Sequence, residues 1–163
     1  MIQRKNRLLV TTGLAMVTAA LVAFSQSSTD DQGGTSAPEL EASWRVLVTP
    51  IGAPILPFLT YSTFGRGGTF LESTQPGQGP GHGVWRRTTG REFGVTFEKI
   101  LFSPAGNFAG TLRVREAVRL NAIGDSYTGD ATAEAFDPSG HLLGSFCAKT
   151  QGTRMSVVRP SCP

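Results

Sequence analysis

Histidine and cysteine are scarce in this 163-residue chain: His82, His141, Cys147 and Cys162 are all there are. A catalytic zinc normally needs three protein ligands, and no His/Cys/carboxylate cluster here has metal spacing, so no metal and no other cofactor is expected. A Gly-x-Ser-x-Gly elbow is also missing, which leaves a Ser-His-Asp hydrolase without support. The glycine-rich stretch from Thr74 to Gly83 lacks the Lys-Ser/Thr ending of a phosphate loop, and no helix follows it. After residue 40 no stretch sustains a helical period over ten residues. These absences leave a β protein with no evident catalytic constellation.

The first part of the chain has a separate character. Arg4, Lys5 and Arg7 precede an uncharged apolar stretch of 17 residues, Leu8 to Phe24, and Ala23-Phe24-Ser25 offers small residues for cleavage before Gln26. This is the order of parts in a secretory signal peptide, so residues 1–25 are expected to be removed on export to the periplasm or the exterior. A retained membrane anchor is the alternative, because 17 residues is the lower limit for a span. Thr11, Thr12, Gly13 and Thr18 weaken that alternative. Neither a twin arginine nor a cysteine at the cleavage site is present. Residues 26–40 are polar and are expected to form a flexible linker, with a single domain over residues 41–163.

Cleavage alters the charge argument. The whole chain has 15 basic and 12 acidic residues, but Arg4, Lys5 and Arg7 belong to the leader, so 12 of each remain and the net charge is zero. Overall basicity therefore gives no case for a nucleic-acid partner. Export also allows a Cys147–Cys162 disulfide, with two free thiols or an intermolecular link as the alternatives.

From Ser43 onward short β-rich runs alternate with Gly, Pro, Asn and Asp. The runs are 44–49, 57–64, 69–73, 83–88, 92–102, 108–121, 126–136, 141–150 and 154–158. Gly65-Arg66-Gly67-Gly68, Thr89-Gly90, Ser103-Pro104-Ala105-Gly106-Asn107, Asp137-Pro138-Ser139-Gly140 and Gln151-Gly152 are read as turns. Such short connections predict an all-β, antiparallel up-and-down meander of eight to nine strands. Closure into a barrel would remove its two exposed edges. Period-two alternation puts Phe93, Val95 and Phe97 on one face, and Phe108, Gly110, Leu112, Val114, Glu116, Val118 and Leu120 on one face of the next run. Tyr127, Gly129, Ala131, Ala133 and Ala135 form a row of small residues, which permits bending or leaves room inside.

Several segments carry a family resemblance: Trp44 opening the first strand, Tyr61 to Phe70, Gly81 to Arg87, and Phe93 to Phe97. Their order resembles the lipocalin-like, or calycin, barrels, particularly small secreted bacterial members. Ala42 stands where the lipocalin signature has glycine, two residues before the tryptophan. The resemblance implies a barrel that binds a small apolar or amphipathic molecule. Barrels of the allene-oxide-cyclase or dirigent kind are the rival resemblance and imply a cyclase or isomerase.

The residues expected to line a ligand site are Trp44, Trp85, Phe97, Val114, Glu116 and His82, the last presented by the long 74–83 connection as a lid. The alternatives are a plain surface loop for 74–83 and core packing for the two tryptophans. Glu116 is the most informative. Strict alternation puts it among apolar side chains, where an unpaired carboxylate is costly and its pKa rises. A β-bulge turning it outward, or a partner such as Arg86 or Arg87, would be the structural explanation instead. Three functions follow: a binder of a small molecule, an enzyme using Glu116 as acid or base, or an interaction domain with a filled barrel. A cavity separates the first two from the third, and a second titratable group beside Glu116 favours the enzyme.

Overall fold

A computed structural model describes residues 39–73 and 75–160. The leader, most of the linker and Cys162 lie outside the described residues. The strands are β1 (Ala42–Ile51), β2 (Phe58–Phe64), β3 (Thr69–Glu72), β4 (Gly81–Thr89), β5 (Glu92–Phe102), β6 (Phe108–Leu120), β7 (Ser126–Phe136) and β8 (Leu142–Arg154). Each pairs antiparallel with the next, and β8 returns to pair with β1, from Trp44 opposite Arg154 to Ile51 opposite Cys147. The result is an up-and-down barrel of eight strands, compatible with a lipocalin-like fold. Among the described residues no helix is long and apolar enough to cross a membrane.

Eight strands rather than nine arise because 141–150 and 154–158 are not separated. The chain runs straight through Gln151-Gly152, with Gln151 opposite Leu47 and Thr128, and Gly152 opposite Val46 and Tyr127. Gly152 is there for clearance. The Tyr127 ring lies against it, and any Cβ at this position would overlap the ring carbons. Past Arg154 the backbone leaves the sheet after one bond from the Met155 N–H to the Ser43 carbonyl, 2.9 Å.

The two ends of the barrel differ. At one end, where β1 starts and β8 finishes, large apolar side chains fill the interior. Trp44, Phe64, Phe70, Phe93, Val118 and Leu120 are each almost wholly buried. Trp44 meets Tyr127 edge-on with centroids 5.0 Å apart, and Phe64 meets Trp85 edge-on at 5.9 Å. Leu40, read as part of the linker, is fully buried here, and its carbonyl accepts the Trp44 indole N–H at 3.0 Å. One apolar residue in a polar tail has no periodicity to announce it.

Arg154 ties this end shut. Its guanidinium lies 4.5 Å from the Trp44 ring centroid and donates to the carbonyls of Glu39, Glu41 and Gly124. Outside, charged side chains pair across neighbouring strands, as in Arg113 with Glu98 (2.7 Å) and Arg115 with Glu134 (2.8 Å). Such exposed pairs contribute little to stability. Their use is to keep the outer face wet and the register unambiguous.

Candidate functional site

At the other end, towards the β1–β2, β3–β4, β5–β6 and β7–β8 connections, the aromatic filling stops and a cavity of about 570 Å³ begins. That volume falls within the range of small-molecule sites. The small-residue row of β7 makes the space: Ala131 and Ala133 line it, where larger side chains would fill it. Val46, Val48, Phe70, Phe97, Leu112 and Val114 complete the inner wall. Pro54, Ile55, Leu56 and Pro57 of the β1–β2 connection line it too, as do Gln75, Pro76 and Gln78 of the β3–β4 connection.

The wall is mainly apolar, but a polar cluster is set into it. Glu72, Lys99, Glu116, Thr60, Ser62 and Thr150 line the cavity, and all six are buried. Lys99 Nζ lies 2.7 Å from Glu72 Oε2, with Lys99 and Glu72 side chains only 4% and 7% exposed. The ammonium also reaches the Ser73 carbonyl and Gln78 Oε1, each at 3.4 Å. By distance the Lys99–Glu72 contact is an ion pair. Its alignment falls short of a hydrogen bond, and Glu72 Oε2 is left without one.

Glu116 points inward. Neither expected escape occurs: the β5–β6 and β6–β7 registers are unbroken at Glu116, opposite Val95 and Ala131, and its hydrogen bond comes from the Thr150 hydroxyl rather than from an arginine. Gly129 accommodates the arrangement, since a Cβ there would collide with both Glu116 Oε1 and Thr150 Oγ1. Burial raises the Glu116 carboxyl to about 7. The Thr150 hydroxyl bond opposes the rise, and the neighbouring charge of Glu72 adds to it.

This shift makes folding stability depend on pH. Glu116 titrates near 4.5 when unfolded and about 7 when folded, so the folded protein holds the proton more tightly. Below the lower value both states are protonated and there is no penalty. Stability falls as pH rises between the two, and the full cost, roughly 3 kcal/mol, is present above the upper one. Glu116→Gln should therefore raise the unfolding free energy by about 2–3 kcal/mol at pH 8 and change it little near pH 4.5. Urea unfolding at the two pH values measures this, and equal effects at both would show that the carboxyl titrates normally.

The residues singled out from sequence divide in two. Phe97, Val114 and Glu116 line the cavity together. Trp44 and Trp85 lie in the aromatic filling of the closed end, where the Trp85 indole N–H donates to the Gly65 carbonyl at 3.0 Å. His82 is not on a lid. β4 begins at Gly81, so His82 sits within the strand, exposed on the outer face opposite Leu71 and Glu98. Cys147 is exposed on β8.

Glu72 and Lys99 were not anticipated. Each continues an inward row, Phe70 to Glu72 and Phe97 to Lys99, but a charge at the end of an apolar row ordinarily marks where a strand reaches water. Among the described residues no group of three or more His, Cys, Asp or Glu side chains could hold a metal ion. No protein-family model, curated protein or solved structure matches this chain.

Proposed function

We propose that this protein is an exported, lipocalin-like binding protein whose barrel holds one small amphipathic molecule, its apolar part against the cavity walls and its polar group on the Glu72, Lys99, Glu116 and Thr150 cluster. The observation that carries the reading is the cavity itself, about 570 Å³ with mainly apolar walls and a buried polar cluster. Sites of this composition take most of their affinity from buried apolar area and their orientation from a few placed polar groups. A barrel acting only through its outer surface has no use for such an interior.

The raised carboxyl of Glu116, with the Glu72 carboxylate as its neighbour, favours a second reading, a cyclase or isomerase in which Glu116 moves a proton. Binding is the better supported of the two. Lys99 already holds Glu72, and the Thr150 hydroxyl is already engaged as the donor to Glu116.

Native and denatured mass spectra of the purified protein, taken after incubation with a lipid and metabolite extract, test the binding reading. A non-covalent added mass is expected, and Ala133→Phe, which fills the cavity, should reduce its occupancy by at least about tenfold. A retained mass in Ala133→Phe would place the ligand elsewhere. No added mass in the parent protein would remove the reading. A bound compound released chemically altered would establish the enzyme instead.

A further inference from the structure

We propose that the polar group of the occupant is a protonated amine, received by the carboxylates of Glu116 and Glu72, so that the ligand class is an amphipathic primary amine rather than a fatty acid or a neutral alcohol. The inference rests on the binding reading above and goes beyond it by assigning the charge of the ligand.

Both the charges and the hydrogen-bonding capacity of the cavity bear on the ligand's polar group. Three of the residues lining the cavity are ionisable: Glu72, Lys99 and Glu116. With all three ionised the cluster carries one negative charge in excess, buried among apolar walls, which is costly without a counter-charge. Among the donors of the cluster, Lys99, Thr150 and Thr60 already have acceptors, which leaves the Ser62 hydroxyl. Lys99 faces Glu72, Ser73 and Gln78; the Thr150 hydroxyl donates to Glu116; Thr60 exchanges a hydrogen bond with the Ser73 hydroxyl at 3.1 Å. Glu72 Oε2 is a buried acceptor held by the Lys99 ammonium at 2.7 Å as an ion pair, with no aligned hydrogen bond.

The cluster thus offers acceptors and negative charge. An ammonium supplies three donors and the missing positive charge in one group. A ligand carboxylate would meet two acids, with the one lysine already engaged. An alcohol would bring a single donor and leave the excess charge in place.

The same geometry sets the pH dependence. Glu72 from β3 and Tyr127 from β7 couple to Glu116, and Lys99 of β5 lines the same cavity against Glu72. Burial holds the Tyr127 hydroxyl well above its ordinary value and so protonated. A simple alkylamine stays charged up to about pH 10. The Glu116 carboxyl, raised to about 7, changes charge near neutrality, and amine affinity should rise about tenfold between pH 6 and pH 8.

Isothermal titration calorimetry of the purified protein with octylammonium, octanol and octanoate at pH 6 and pH 8 tests the proposal. At pH 8 octylammonium should bind at least about tenfold more tightly than either of the others. Glu116→Gln should abolish that preference and its pH dependence while leaving octanol affinity within about twofold, a result that general damage to the cavity would not give. Octanol or octanoate binding as tightly as the amine would overturn the charge assignment and leave the binding reading intact. If none of the three binds and the mass spectra show no ligand, both fall together.

Discussion

Replacing Trp44 by alanine is expected to lower the unfolding free energy by about 3–5 kcal/mol, the range for truncating a large buried aromatic side chain. Its ring is wholly buried and joins three parts of the closed end. Tyr127 of β7 meets it edge-on, Arg154 of β8 lies over it, and its N–H holds the Leu40 carbonyl. A cavity left there cannot collapse easily, since the surrounding side chains belong to strands fixed by the closed ladder.

Trp44→Phe should lose less, because it keeps most of the ring contact and gives up the indole hydrogen bond. Arg154→Lys should be worse than its charge conservation suggests. A lysine cannot hold the Glu39, Glu41 and Gly124 carbonyls at once while keeping its charge over the ring. Thermal or urea unfolding followed by circular dichroism measures all three. A Trp44→Ala loss below about 1 kcal/mol would mean that the closed end is not where the barrel is held together.

How much of this was legible in the sequence depends on what alternation can convey. Long strands announce themselves: β5 and β6 alternate over most of their length, and their faces, including the inward position of Glu116, were readable as a pattern. Alternation reports which face a residue takes, however, and not its height along the barrel axis. Trp44 and Phe97 both face inward, yet one plugs the closed end and the other lines the cavity. Height depends on the stagger between strands, which is a property of the whole closed sheet.

Gly152 misled for a related reason. Glycine beside glutamine looks like a turn, but here it yields space to a ring carried by β7. His82 was misplaced because the start of β4 at Gly81 is set by pairing with Glu72 rather than by the glycines around it. The small-residue row of β7 was the best early sign of the site. It is where interior volume was left unfilled, and Gly129 is where the Glu116 carboxylate and Thr150 hydroxyl fit.

Lys99→Met should also be severe, and its value lies in what a second substitution does. Removing the ammonium leaves the Glu72 carboxylate buried opposite no cation, with Glu116 as its acidic neighbour. Breaking a buried pair from one side costs about 3–5 kcal/mol, because the remaining charge keeps its desolvation penalty and loses its compensation. Replacing both partners with apolar side chains of similar length removes the penalty and the attraction together. The double variant Lys99→Met with Glu72→Met should therefore recover most of the loss, so that the second substitution stabilises although each alone destabilises.

The double variant carries a further consequence for the site. The charge of Glu72 is one of the causes that raise the Glu116 carboxyl, so without it Glu116 should titrate closer to its ordinary value. The fall in stability between about pH 4.5 and 7 should then become shallower. Urea unfolding of the parent, the single and the double variants across that range measures both effects. A Lys99→Met loss under about 1 kcal/mol would indicate that the pair behaves as a solvated one, screened by water in the cavity. The acceptor-rich cluster on which the amine assignment depends would then have to be read as hydrated.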